Sequence, residues 1–211
     1  MLYIIATPIG NMGDMTVRAM ETLEKVDRLL CEDTRKTGLM LVNLKIKNKP
    51  ILVSFYDEVE EQKIPEVINW LQSGEEIGLA SDGGTPIISD PGWKLVKKCR
   101  ELGLEYTSLP GPCAVINAVV LAGLPSGRFS FLGFLPKKNG ERKKILEKYK
   151  SVEGAKVVYE SPFRIWRLVE EIKEVYGEKV DIRICREMTK KFEEVSDEIK
   201  GEKGEFVVVF I

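Results

Sequence analysis

Short apolar runs that stop at glycine and proline alternate with segments of helical spacing. This alternation constrains the fold more than any other feature of the chain. Residues 2–6 run into Thr7-Pro8-Ile9-Gly10-Asn11, residues 77–80 into Ser81-Asp82-Gly83-Gly84-Thr85-Pro86, and residues 104–109 stop at Pro110-Gly111-Pro112. Such brief unbroken runs read as strands buried on both faces. Between them, Val17, Met20, Leu23, Val26 and Leu30 keep near-helical spacing, which predicts one helix reaching Leu30, with Asp14 or Thr16 as its cap. Ile64, Val67, Ile68 and Leu71 repeat the pattern, as do Leu95, Val96, Cys99 and Leu102, closed by Gly103. Strand and helix taking turns in this way predict an open α/β sheet with mainly parallel strands.

The second half continues with a helix over 113–124, expected in the core, and a strand over 129–134. A basic helix over 140–149, a strand at 155–161 and a helix over 162–176 follow, and the last strands contain Val180, Ile182 and Ile184 and then residues 206–211. A boundary near Pro110–Pro112 divides the chain into an N-terminal α/β domain, 1–111, and a C-terminal α/β domain, 112–211.

Composition narrows the chemistry. The 211 residues carry a net charge of −1, so a nucleic acid would have to be met by a local basic patch. No histidine is present, which excludes a Ser-His-Asp triad, a Cys-His pair and histidine-ligated metals. Cys31, Cys99, Cys113 and Cys185 are scattered and read as buried thiols of a reducing cytosol. Residues 1–10 lack the basic start of a signal peptide, and the apolar run 113–124 is too short to cross a membrane. A cytoplasmic protein with no membrane partner is the expectation.

Ligands of open α/β sheets collect outside the carboxyl ends of the strands. The three turns that leave such ends are built from Gly, Pro and small residues, which let the main chain approach a ligand closely. They suit a flat, partly polar cofactor. Neither a G-x-G-x-x-G loop nor a G-x-x-x-x-G-K-[ST] loop occurs, so a standard nucleotide site is unsupported. Asp82-Gly83 between apolar runs is equally a hairpin signal.

The ordered segments TPIGN, EDTR (32–35), SDGGTPIISDPG, PGPCAVINAVVLAGLP, FLGFLP, YESPFR and REMTK resemble the tetrapyrrole-methylase superfamily, and most closely its branch acting on ribosomal RNA. The likeness spans nearly the whole chain. It implies two α/β domains with S-adenosylmethionine in the interdomain cleft, a homodimer, and 2′-O-methylation of a cytidine in 16S ribosomal RNA, free or within the small ribosomal subunit. It places cofactor contacts at Pro8, Ile9, Asp82, Gly83, Gly84, Thr85, Pro86, Cys113, Ala114, Val115, Tyr159 and Met188. The sequence departs from the family's usual residues at Gly83, Phe163 and Cys113, where Ala, His and Ser are common.

Methyl transfer to a ribose hydroxyl needs no metal, but it does need a group to take the proton. Glu32, Asp33, Asp90 and Glu160 are the candidates, each with a structural alternative as cap, turn former or ion-pair partner. Arg35 and Lys36 would hold phosphate or pair with the neighbouring carboxylates. Residues 137–150 hold seven basic residues against Glu141 and Glu147, which nominates Lys137, Lys138, Arg142 and Lys143 for the RNA backbone. Phe55, Tyr56 or Trp93 would stack on a splayed base, although a core role suits Trp93. Competing readings are a precorrin or uroporphyrinogen methyltransferase, a diphthine-synthase-like enzyme, and a non-catalytic RNA-binding assembly factor.

Overall fold

The computed structural model describes residues 1–125, 127–201 and 203–211. They form two compact units, Met1–Cys113 and Ala114–Ile211. In the first unit β1 (Leu2–Ile5), β2 (Arg28–Cys31), β3 (Ile51–Ser54), β4 (Ile77–Ala80) and β5 (Tyr106–Leu109) make one sheet in the order β3-β2-β4-β1-β5. Every pairing in it is parallel. The crossovers are α1 (Val17–Lys25), α2 (Thr34–Asn43), α3 (Asp57–Gln72) and α4 (Trp93–Glu101).

Alternating side chains of the strands face opposite layers. Tyr3, Ile5 and Leu29 pack with α1 and α2 through Ala19, Leu23, Met40 and Leu41. Leu2, Ile4, Leu30 and Ile77 pack with α3 and α4 through Val67, Ile68, Leu71, Leu95 and Cys99. The helices after β1 and β4 therefore lie on opposite faces although the two strands are neighbours. That places a topological switch point at their carboxyl ends.

The expected helix reaching Leu30 is corrected: α1 stops at Lys25, Val26 turns to extended backbone, and β2 starts at Arg28. Val26 and Leu30 kept the helical spacing but serve opposite layers of the sheet core. Thr16 is the cap, its hydroxyl accepting from Ala19 N–H at 3.2 Å. The hairpin reading of Asp82-Gly83 also falls, because the segment leads from β4 into α4.

The second unit contains α5 (Ala114–Ala122), β6 (Phe129–Phe134), α6 (Asn139–Lys150), β7 (Ala155–Glu160), α7 (Ile165–Tyr176), β8 (Ile182–Arg186), β9 (Glu194–Ser196) and β10 (Phe206–Phe210). Its sheet order is β6-β7-β10-β8-β9, parallel only between β6 and β7. The carboxyl ends of β6, β7 and β8 thus share one sheet end. Helices α6 and α7 cover one face through Leu146, Ile165, Leu168 and Ile172. On α5, Val115, Ala118, Val119 and Ala122 are buried, but Ile116 and Val120 are exposed, so this helix is not buried all round.

Candidate methyl-donor site and its acidic rim

The turns after β1, β4 and β5 are fastened together. Thr7 and Gly84 exchange backbone hydrogen bonds of 2.9 Å in both directions. The Thr7 hydroxyl donates to Ser81 O at 3.1 Å, and the Ser81 hydroxyl to Gly84 O at 3.2 Å. The Thr85 hydroxyl donates to Pro112 O at 3.0 Å, which ties in the turn after β5. Of the anticipated cofactor residues, Pro8, Ile9, Asp82, Gly83, Gly84, Thr85 and Pro86 therefore come together. Thr7 and Ser81, which sequence reasoning left unassigned, are the polar pins. Their signal was a small hydroxyl residue just past the end of a buried strand.

At Gly84, glycine is required by the protein's own backbone. Gly84 has φ +98°, and a Cβ there would sit 3.3 Å from Ile9 Cγ2; one at Gly83 would meet Pro8 O at 3.4 Å. Ile87 and Ser89 also hold positive φ, 78° and 70°, in the same turn. A β-branched residue in that region is strained, and such strain gathers at ligand sites.

The turn after β2 joins the cluster through Asp82. Its carboxylate accepts from Lys36 Nζ at 2.7 Å and from Asp33 N–H at 3.3 Å, while Asp82 N–H donates to a Glu32 oxygen at 3.2 Å. Asp33 caps α2, accepts from Arg35 N–H and is gripped by the Arg35 guanidinium at 2.9 and 3.1 Å. Those bonds hold its carboxyl far below the usual carboxylate range. Such a group does not take up a proton, so the structure argues against Asp33 as the base.

Glu32 and Asp90 behave in the opposite way. Burial pushes the Glu32 carboxyl up, and Asp82 and Asp57 add to the rise. Asp90 is pushed up to about 7, by burial first and then by Glu32, against a hydrogen bond from Ser81 that lowers it. A carboxyl poised near neutrality is matched to accepting a proton at physiological pH. Tyr56 and Trp93, at the starts of α3 and α4, are exposed beside this rim. The core role expected for Trp93 is corrected by its 54% exposure, whereas Phe55 is fully buried and cannot stack on a base.

In the second unit, Ala114 and Val115 open α5, and Cys113 precedes them half-buried. Tyr159 meets Phe131 and Phe134 edge to face, at 4.9 and 5.5 Å. Met188 is buried in a turn where Glu187 and Thr189 hold φ of 50° and 65°. Glu160 is buried, with Arg164 Nη2 at 2.7 Å and Ser161 N–H at 2.7 Å on one oxygen. Its other oxygen, Oε2, is buried with no hydrogen-bond partner among the described residues.

Arg142 is a further correction. It is 1% exposed and bidentate on Glu171, at 2.6 and 2.7 Å, and it also donates to Pro136 O, Lys137 O and Asn139 Oδ1. No phosphate reaches it. Lys143 pairs with Glu174 and Lys138 with Glu141, while Lys137 and Lys138 remain exposed. Arg35 and Lys36 are exposed as well.

Asp82, Glu32 and Asp90 crowd negative charge at one sheet end, which favours a cationic sulfur and ammonium. The Gly and Pro turns bring main-chain groups within reach of a ribose and a base. The residues fit S-adenosylmethionine.

A parallel sheet with glycine-proline turns gathered at its switch point and an acidic rim, joined to a second α/β unit, makes a two-unit α/β protein with a ligand site at its strand ends. The chain belongs to the tetrapyrrole (corrin/porphyrin) methylases, whose family profile matches residues 1–200. It is 45% identical over 194 residues to "Ribosomal RNA small subunit methyltransferase I" of Vibrio cholerae, covering 92% of this chain and 67% of that one. The protein of the same name in Escherichia coli O157:H7 is 42% identical over 99% of this chain and 76% of its own. The one in Thermotoga maritima is 41% identical over 92% and 85%. Among solved structures, the cobalamin-biosynthetic enzyme cobalt precorrin-4 methyltransferase, CbiF, superposes with a TM-score of 0.70 at 16% identity, over 99% of this chain and 93% of that one. That likeness is one of fold. No helix among the described residues is long and apolar enough to cross a membrane.

Proposed function

We propose that this chain methylates the ribose 2′-hydroxyl of a cytidine in 16S ribosomal RNA, with S-adenosylmethionine as donor, in the cytoplasm. The observation that carries the reading is the Thr7–Gly84 junction with Asp82 beside it, joined directly to the EDTR segment that the RNA would approach. The names of the relatives support the substrate.

When bound, S-adenosylmethionine supplies an electrophilic methyl group on a positively charged sulfur. The protein's part is alignment and proton removal. Asp82, braced by Lys36, presents negative charge to the donor. The turns at 7–10 and 82–86 fix the donor's orientation by main-chain contacts. The Asp90 carboxylate accepts the proton of the ribose hydroxyl, with Glu32 keeping its affinity for that proton high. Arg35 and exposed lysines hold phosphates. We also read the chain as a homodimer: Ile116 and Val120, one turn apart on α5, give an exposed apolar face for a second copy to cover.

The test is transfer of a labelled methyl group to small ribosomal subunits from a strain lacking this gene, followed by nucleoside mass spectrometry. A 2′-O-methylcytidine formed by the wild-type chain and not by Asp82→Ala is expected. Label on a base, or none on the RNA, would sink the reading. Light scattering of the purified chain checks the dimer.

A further inference from the structure

We propose that the second unit carries a stacking platform for one unpaired RNA base, built from Phe163 and Phe134 and rimmed by Lys137, Lys138 and Arg167; this rests on the RNA reading above.

Phe163 lies in the turn between β7 and α7 and is 95% exposed; Phe134, the last residue of β6, is 57% exposed. Single exposed apolar residues are ordinary, but these two are held in one place. Strands β6 and β7 are parallel neighbours, with Phe134 in register with Tyr159. Arg164 Nη1 donates to Leu135 O at 3.3 Å, so the residues that follow each phenylalanine are hydrogen-bonded to one another. The Phe134 ring is braced edge to face by Tyr159. Exposed aromatic rings offer a base a π-face, and the braced Phe134 ring does so at little entropic cost.

Two carboxylates of this region, Glu160 and Glu171, are buried against Arg164 and Arg142, while Glu141 is exposed and pairs with Lys138 at 3.6 Å. Arg142 also holds the carbonyls of Pro136 and Lys137, which fixes the loop that carries Lys137 and Lys138 outward. Arg167 lies one turn further along α7, with its guanidinium half exposed near Glu171. Outward positive charge from Lys137, Lys138 and Arg167 beside exposed rings suits a polyanion whose bases are unstacked. An acidic or apolar protein surface would match only one of the two features.

A short single-stranded RNA with one 2-aminopurine tests this, with binding read by anisotropy and stacking by fluorescence quenching. Phe163→Ala, at a position that packs against little, is expected to keep the melting temperature, lose most of the quenching and weaken binding about tenfold. Phe163→Trp is expected to retain both. Lys137→Ala with Lys138→Ala should keep the quenching while flattening the salt dependence. Wild-type quenching in Phe163→Ala, or its loss in Phe163→Trp, would overturn the platform. Methyl transfer to small subunits is assayed in parallel. A wild-type chain that quenches without methylating keeps the platform and removes the proposed reaction; one that methylates while Phe163→Ala quenches normally removes the platform alone.

Discussion

Thr7 and Gly84 face each other as a two-bond antiparallel bridge, although one follows β1 and the other follows β4 in a sheet that is otherwise parallel. The bridge turns two separate strand ends into one rigid floor. Gly84 can make it because it holds φ +98°. An alanine there meets both that backbone penalty, about 1 kcal/mol or more, and a methyl contact with Ile9. We expect Gly84→Ala to lower the melting temperature by a few degrees and donor affinity by at least tenfold in calorimetry. Gly140→Ala is the contrast: a Cβ at Gly140 meets nothing within 4 Å and lies in helix α6. It should gain about 0.5–1 kcal/mol and leave donor binding unchanged.

Asp90 makes a prediction in pH. Its carboxyl is raised from 3.8 to about 7, so between these values the native chain keeps a proton that the unfolded chain has lost. Stability therefore falls as pH rises through that window. Asp90→Asn should be more stable than wild type at pH 8, with the gap closing towards pH 4. The rate behaves oppositely, because the proton acceptor is the ionised form. Single-turnover transfer should climb about tenfold per pH unit below 7 and level off above it. Asp90→Asn should lose about 10²–10⁴-fold in rate and the pH profile with it.

Arg142 and Glu171 show how a residue's type can mislead. In a run of seven basic residues Arg142 looks like one more phosphate contact. Its spacing from Ile145 and Leu146 puts it on the inner face of α6, and Glu171 sits likewise beside Leu168 and Ile172 on α7. That inward spacing was readable; that a charge would accept such a position was not, because it depends on a partner 29 residues away. Removing only the arginine leaves a buried carboxylate with the half-exposed Arg167, at 3.4 Å, as its remaining cation. Arg142→Met should cost about 3–5 kcal/mol in urea unfolding, and Arg142→Met with Glu171→Leu much less.

The fold was legible where side chains obey one period. The strand at 77–80 and the turns after β1, β4 and β5 stand out because the central strands of the first sheet are buried on both faces and Gly and Pro mark its ends. Helix α2 and strand β3 did not stand out. Gly38 interrupts α2, its Leu39 and Val42 are exposed, and β3 is an edge strand with Ile51 outward, so neither shows a clean apolar face. At the site, the glycines and carboxylates were readable as types. Which carboxylate is free to take a proton depends partly on a long-range partner: Arg35 fixes Asp33 and Asp82 lies in the same turn as Asp90, but Glu32 reaches Asp90 only because β2 and β4 are neighbours.

Asp82, the residue expected to face the donor, is also the hub of the β2 and β4 turns. Its two oxygens take Lys36 and Asp33 N–H separately. Asp82→Asn keeps an acceptor for the Asp33 amide and removes the charge; Asp82→Ala removes both. If the charge attracts the cationic donor, both variants lose donor affinity, with Asp82→Ala losing more, and neither shifts stability by more than about 1 kcal/mol, since Lys36 is exposed. Lys36→Ala should then leave Asp82 in place through the amide and weaken RNA binding, with a salt slope shallower by about one. Calorimetry with the donor and salt-dependent RNA titration of the three variants separate the roles. Normal donor affinity in Asp82→Ala would strip Asp82 of its part in the site.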